Sequence, residues 1–478
     1  MKSPAVNQVI NERDATKTMK DNTSRREKIL TEPLLPLLIK TSVPTIIGMM
    51  MNMLYNLTDT FFIGQLNNKS MTAAIGIVFS FVSFVQAVGF WFGYGSGNSM
   101  SRKLGEQDEK EAQILSSTGV VMALATGIIL TVVLWIYVRP FACLIGGDAS
   151  PQLLTYTVEY LKIIILTIPF SLLALTVYNQ LRLCGNVKDG MIGLLFGMLS
   201  NMILDPIFIF ILKMGFAGAG WATLAGQVIG AFTLLFLSYR HGNIPVRLRS
   251  ARFSKARVYH ILAGGAPNFS RQGITGVASV LLNMVAATYG EGMIAALTVS
   301  SKIVATAFMI MIGWGQGFQP ICAMNYGAKK YDRVKKARKL TVSVGTVFLL
   351  CVAVLLAVFA VPASALLSKD EEVIRMSAEI LRIQCISMPF LGYYAVSSMY
   401  MQNIGHYGSA LWISIARQGF FYIPLLFILP ALAGQTGLFL VQPVADILSF
   451  VFSIIVVHFT PSQTPVSSAP FSSQTASR

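Results

Sequence analysis

The sequence predicts an all-α polytopic membrane protein: twelve transmembrane helices in two pseudo-symmetric six-helix lobes around a central cleft. Three observations predict it. Of 478 residues, 54% are hydrophobic and only 12% charged, against about a quarter charged in ordinary soluble domains, so a water-exposed surface would be short of charge. The apolar residues gather into runs of ~20 or more, the length a helix needs to cross the hydrocarbon core. Landmark residues recur at a spacing of about 220 and divide the runs into two sets of six.

The first six runs fall near 34–63, 71–97, 114–138, 160–180, 190–212 and 217–239. The second six fall near 258–283, 293–320, 340–362, 379–403, 411–433 and 436–458. Pro44 in the first run returns as Pro267 in the seventh. Gly93, Gly95 and Gly105 of the second return as Gly315, Gly317 and Gly327 of the eighth. Pro140 after the third matches Pro362 after the ninth, Pro169 in the fourth matches Pro389 in the tenth, and Gly185 matches Gly405. Six spans return the chain to its starting side, so the halves share one topology and are related by an axis along the membrane normal. Gly93-Tyr-Gly95-Ser-Gly97 and Gly313-Trp-Gly315-Gln-Gly317 resemble phosphate-cradling loops, but they lie inside apolar runs with no preceding strand and no following Lys-Ser/Thr. They read as sites of close helix packing. The expected division is an N-terminal tail over 1–30, an N-lobe over 31–239, a basic linker over 240–257, a C-lobe over 258–458 and a disordered Ser/Thr/Pro-rich tail over 459–478.

A net charge of +16 would suggest nucleic acid in a soluble protein. Here the cations sit between the apolar runs. With the N-terminus taken as cytoplasmic, the stretches 98–113, 181–189, 240–257 and 325–339 hold 18 Lys and Arg, while the external stretches hold only Lys69, Arg139, Lys213, Lys369 and Arg375. That asymmetry places both termini in the cytoplasm of a multi-pass cell-membrane protein. Nucleic acid is not expected as a partner, and no obligate protein partner is indicated. The linker cations Arg240, Arg247, Arg249, Arg252, Lys255 and Arg257 read first as a topology signal and second as a surface for anionic headgroups of the lipid bilayer. The five cysteines are odd in number and form no CxxC, so neither a disulfide framework nor a zinc site is expected. The polar first 28 residues show no cleavable signal peptide.

Ionisable residues inside spans are expensive and therefore informative. Asp59 stands in Tyr55-Asn-Leu-Thr-Asp59-Thr of the first run, and Asp205 in Asn201-Met-Ile-Leu-Asp205-Pro206 of the fifth. Each is about 22 Å along an outward-running helix. Tyr55 and Asp59, like Asn201 and Asp205, are one turn apart and share a face. Pro206 frees the carbonyl of Met202. Two carboxylates, an amide, a phenol and a free carbonyl can hold a proton or a small cation such as Na⁺. The competing reading is an interfacial aspartate and an Asp-Pro turn. The repeat argues against it, because leucines or isoleucines stand at the equivalent second-half positions.

The second half carries Arg271, Lys302, Arg417 and Asp446 in its seventh, eighth, eleventh and twelfth runs. Counting residues puts Arg271 and Asp446 at similar depths, which predicts a buried pair between them with Arg417 snorkelling to the cytoplasmic face. The alternative is that these cations line the cleft opposite the first-half acids. The twenty-two methionines could furnish a deformable pocket, though core or lipid-facing filler is the plainer reading. No HExxH, GxSxG or clustered histidines suggest catalysis.

Pro44 with Tyr55-Asn-Leu-Thr-Asp59-Thr-Phe-Phe-Ile-Gly64, Asn201-Met-Ile-Leu-Asp205-Pro206, Gly220-Trp-Ala-Thr223 and Gly315-Gln-Gly317-Phe-Gln-Pro320 through Asn325-Tyr-Gly327-Ala together resemble the multidrug and toxic compound extrusion (MATE) transporters. The resemblance covers about residues 30 to 458 and is strongest to the bacterial drug-exporting, MepA-like branch. It implies that Tyr55, Asp59, Asn201, Asp205 and Thr223 bind the coupling ion and that the helix bearing Pro44 bends as the ion loads. Where some relatives carry an acidic site in the seventh helix, this chain has Arg271 and Gln272, which speaks against a second-lobe cation site. The expected function is secondary active efflux of amphipathic, often cationic, drugs or dyes in exchange for H⁺ or Na⁺, by alternating access and without a cofactor. A flippase for lipid-linked precursors and a lipid-processing membrane enzyme are the alternative expectations.

Overall fold

A computed structural model describes residues 25–64, 69–240 and 243–461. The expected tails fall outside the described residues up to 24 and from 462 on, as do the side chains of Tyr55 and Asp59. Every regular element among the described residues is helical. The first lobe is built from α1 (Leu34–Gly64), α2 (Lys69–Gly105), α3 (Glu109–Ile136), α4 (Pro151–Leu183), α5 (Val187–Pro206) and α6 (Gly215–Ser238). The second is built from α7 (Lys255–Ala287), α8 (Glu291–Gly327), α9 (Tyr331–Val358), α10 (371–404), α11 (407–432) and α12 (435–459).

Nine helical stretches among the described residues are long and apolar enough to cross a membrane. The twelve expected spans exceed nine for identifiable reasons. The last of the nine, 407–459, is two antiparallel spans joined at Ala433 and Gly434, where Gly434 takes a φ of +57°. The seventh span is diluted by polar residues on one face. The tenth is broken into Glu371–Cys385 and Met388–Ile404, because Pro389 cannot donate to the ladder that would join them. Mid-helix prolines elsewhere are answered by side chains. Pro169 leaves the carbonyl of Ile165 without its helical partner, and Thr131 Oγ1 of α3 donates to it at 3.1 Å.

The lobes meet along two crossings, α2 on α7 and α1 on α8. A Cβ on Gly95 would lie 1.8 Å from the carbonyl oxygen of Ile261, and one on Gly265 would lie 1.8 Å from that of Trp91. Backbone rests on backbone there, which only glycine permits. Nearer the chain termini the contact becomes reciprocal: a Cβ on Gly105 would strike Met324 O at 2.2 Å, and one on Gly327 would strike Arg102 O at 2.1 Å. Gly105 and Gly327 are one landmark pair of the repeat, so the pseudo-twofold axis passes between them. The glycine triplets are thus packing devices, as their setting in apolar runs predicts.

Among the described residues, the recorded contacts between the lobes reach no further than Phe84–Phe269 on α2 and α7 and Ile46–Gly313 on α1 and α8. Further along α7 and α8, Thr275 and Ser279, and Thr298, Ser301 and Lys302, are exposed. The hydroxyls of Thr275, Ser279 and Thr298 turn back to carbonyls of their own helices, so it is the exposed ammonium of Lys302 that cannot face hydrocarbon and borders water. Arg25 and Thr460, at the two ends of the described residues, lie on the side of the Gly105–Gly327 contact, together with the Arg- and Lys-rich connections; we call this the basic face.

Candidate functional site

The first-lobe site is made by the close approach of α5 and α6. A Cβ on Gly226 would lie 2.7 Å from Asn201 Cβ and 2.9 Å from the carbonyl of Gly197. With hydrogen there instead, Asn201 comes within reach of Thr223: Nδ2 donates to Thr223 Oγ1 at 3.4 Å and to Asp205 Oδ1 at 3.4 Å. With the amide turned over the contacts tighten, the nitrogen donating to Asp205 Oδ2 at 3.3 Å and the oxygen accepting from the Thr223 N–H at 3.1 Å. Asp205 is fully buried and Asn201 nearly so. The missing N–H of Pro206 is accommodated by a π turn over Ile207–Ile211 directly after it. Three of the five residues expected to hold the ion therefore converge. The other two, Tyr55 and Asp59, ride on α1, and their side chains lie outside the described residues.

This cluster forms part of the wall of a cavity of about 130 Å³ between α1, α2, α4, α5 and α6. Asn52, Gln86, Ser171, Gln227 and Gln316 supply its polar groups, and Phe90, Leu175 and Tyr178 its apolar ones. Its described lining carries no charged side chain, so the Asp205 carboxylate behind Asn201 is the nearest acidic group of the cluster. Pro44 directly follows a part of α1 that is tied to α8. Just before it, Thr41 Oγ1 donates to Gly317 O at 2.9 Å and Ser42 Oγ to Trp314 O at 3.1 Å, tying α1 to α8.

The second-lobe charges distribute differently from expectation. Asp446 pairs with Arg417, not Arg271: Arg417 Nε donates to Asp446 Oδ1 at 2.7 Å, with side chains 12% and 2% exposed. Gln442 Nε2 donates to the same oxygen at 2.7 Å and Ser387 Oγ to the other at 3.0 Å. The guanidinium also covers the ring of Phe308. Residue counting failed because it assumed regular helices. A π turn at Ala416–Phe421 rotates Arg417 into the lobe, and the break in α10 delivers Ser387 beside it. Arg271 and Gln272 are half-buried on α7 and Lys302 is exposed on α8.

One residue escaped the sequence reading altogether. Arg182, counted above among the loop cations, has no exposed surface. From α4 it crosses to α8, donating through Nη1 to Gln316 O and Gln319 Oε1, each at 2.8 Å, and through Nη2 to Asn179 Oδ1 at 3.0 Å. Its guanidinium also lies over the Tyr94 ring. Pro320 is the reason the carbonyl of Gln316 is free to accept. A Pro four residues after a polar residue was the available signal. Arg102 makes a second cross-lobe bridge, donating to Asn403 O at 3.0 Å at the end of α10, where a cation suits the helix dipole.

The MatE family pattern matches residues 44–207 and 273–428, two stretches that together take in most of both lobes. The chain belongs to the MatE family. It is thus a multi-pass membrane transporter and not an enzyme. Among curated MatE relatives, it is 29% identical over 418 residues to the multidrug export protein MepA of Staphylococcus haemolyticus, covering 87% of this chain and 92% of the relative. It is 28% identical over 429 residues to that of Staphylococcus aureus strain MSSA476, covering 89% and 94%. Among solved structures, a MATE transporter described as in the bent conformation superposes with a TM-score of 0.83 at 21% identity, covering 91% of this chain and 97% of the other. A MOP superfamily transporter of Pyrococcus furiosus does so with a TM-score of 0.82 at 22% identity, covering 90% and 96%. Those likenesses establish the twelve-helix MATE fold.

Proposed function

We propose that this MatE protein is a secondary active multidrug exporter of the cell membrane, with the basic face in the cytoplasm. An inward-moving H⁺ or Na⁺ drives expulsion of amphipathic, mostly cationic, organic compounds by alternating access. The observation that carries the reading is the convergence of Asp205, Asn201 and Thr223 behind a half-polar cavity in a lobe whose repeat partner lacks those acids. A ligand shifts a two-state equilibrium only by its differential affinity. Tyr55 and Asp59 on α1 complete the site when the outer part of that helix bends at Pro44, so ion occupancy is coupled to the shape of the cavity. The relatives named as multidrug exporters support the substrate class. The neutral, methionine- and aromatic-bearing wall suits varied apolar cations better than a phosphate.

Arg182 and Arg102 belong to the closing of the basic face. A seam of buried hydrogen bonds parts more readily into water than an apolar one, because each freed group is rehydrated. Arg271, Gln272 and Lys302 border the central cleft, where their charge discourages occupation by cations on the second-lobe side. The test is efflux of a panel of dyes from vesicles under an imposed pH or sodium gradient. Asp59→Asn and Asp205→Asn should each abolish gradient-driven efflux while expression and elution volume stay normal. Wild-type efflux in both variants would refute the coupling assignment.

A further inference from the structure

A cavity of about 310 Å³ opens at the basic face between the short helix that precedes α1, the first turns of α1 and the start of α5. Its lining includes Arg25, Lys28, Lys40 and Lys188 against one carboxylate, Glu32, with Asn186 at its floor. Lys40 and Glu32 are only loosely paired, at 3.9 Å, with Lys40 more than half exposed. Asp189, on the same turn as Lys188, has its carboxylate engaged by Asn186 of the lining, by Asn243 Nδ2 at 2.9 Å and by Arg240 at 3.5 Å. The cavity exists because Gly185, at φ +87°, lets Ile29 and Arg25 pack onto the turn between α4 and α5. Arg25 is anchored there by donating to Asn243 Oδ1 at 3.1 Å.

Beside this cationic cup, α1 exposes Leu35, Ile39, Val43 and Ile47, each 43–47% accessible and spaced one turn apart. On a membrane-spanning helix that stripe faces acyl chains. A polar cup with surplus positive charge, at the level of the first helical turns and continuous with an apolar track, has the shape of a phospholipid: headgroup above, chains below. We infer that the cavity binds the phosphate headgroup of an anionic phospholipid in the leaflet at the basic face. The shared chemistry is a phosphate; the apolar track selects lipid over free phosphate. A lipid seated there would bridge α1, below its proline, to α5, the helix that carries Asn201 and Asp205. Its occupancy would then bear on how readily α1 moves against α5.

The experiment reads binding, not transport, so its outcome is independent of the exporter assignment. Full-length protein in micelles doped with phosphatidylglycerol is examined by native mass spectrometry and titrated with the same lipid. Wild type should retain one phosphatidylglycerol through stripping of bulk lipid. Lys28→Gln/Lys188→Gln should weaken that binding roughly 30-fold, at roughly fivefold for each cation near the surface. Lys28→Arg/Lys188→Arg should keep it, and Arg247→Gln/Arg249→Gln, which removes two exposed cations from the linker, should leave it unchanged. Equal loss in the linker pair would reduce the effect to general surface charge and overturn the site. So would unaltered retention in Lys28→Gln/Lys188→Gln. Displacement of the lipid by millimolar inorganic phosphate would overturn its assignment to lipid.

Discussion

At the scale of single residues, the second lobe answers its buried carboxylate with a full opposite charge. In the second, Asp446 is neutralised by Arg417 and both its oxygens are hydrogen-bonded. In the first, the Asn201 amide reaches both Asp205 and Thr223. Removing one partner of a buried pair costs about 3–5 kcal/mol, whereas replacing both with apolar groups is often neutral. Arg417→Met should therefore lower the melting temperature in detergent markedly, and Arg417→Met/Asp446→Leu should restore most of it. Asn201 and Asp205 were legible in the sequence because i,i+4 spacing inside an apolar run admits few explanations. Arg182 was not, because its partner on α8 lies 134 residues away and its neighbours read as a loop. Asp446 was legible as buried, but its partner was hidden by a π turn that leaves no composition signature.

Elements are positioned here by glycine and proline more than by side-chain bulk. Between α5 and α6 the glycine at 226 sets the separation that lets Asn201 reach Thr223. Gly226→Val would force the helices apart, and gradient-driven dye efflux should fall at least as far as in Thr223→Val, with the protein still folded. The bond from Thr131 to the carbonyl freed by Pro169 is a smaller matter. Thr131→Val should cost about 0.6 kcal/mol, in line with hydrogen bonds between membrane helices, measured by unfolding in mixed micelles. Helix existence and order were readable from apolar run length alone. The break in α10 and the bend at Gly434 refine those boundaries through backbone chemistry that run length does not register.

For the whole molecule, the repeat predicted the arrangement of the two lobes, and the landmark glycines mark where they touch. Sequence could not say which half of the membrane holds that contact, since it depends on how two surfaces 200 residues apart meet. The backbone crossings make closure steep: Gly265→Leu, whose side chain would enter the space of Trp91, should hold the basic face ajar. Ser99→Cys, buried at the seam in the parent protein, should then react with a water-soluble maleimide several-fold faster, and Arg182→Ala should act in the same direction.

The central cleft also determines where the membrane voltage is felt. Whenever water fills the central cleft down to the lobe contact, it carries the potential of the far solution with it, so the drop is compressed into the sealed layer beneath. A unit charge crossing the full potential exchanges about 2.3 kcal/mol per 100 mV. A charge then traverses that whole difference over the thickness of the seam alone. Arg182, buried in that layer with neutral partners, occupies the steepest part of the field.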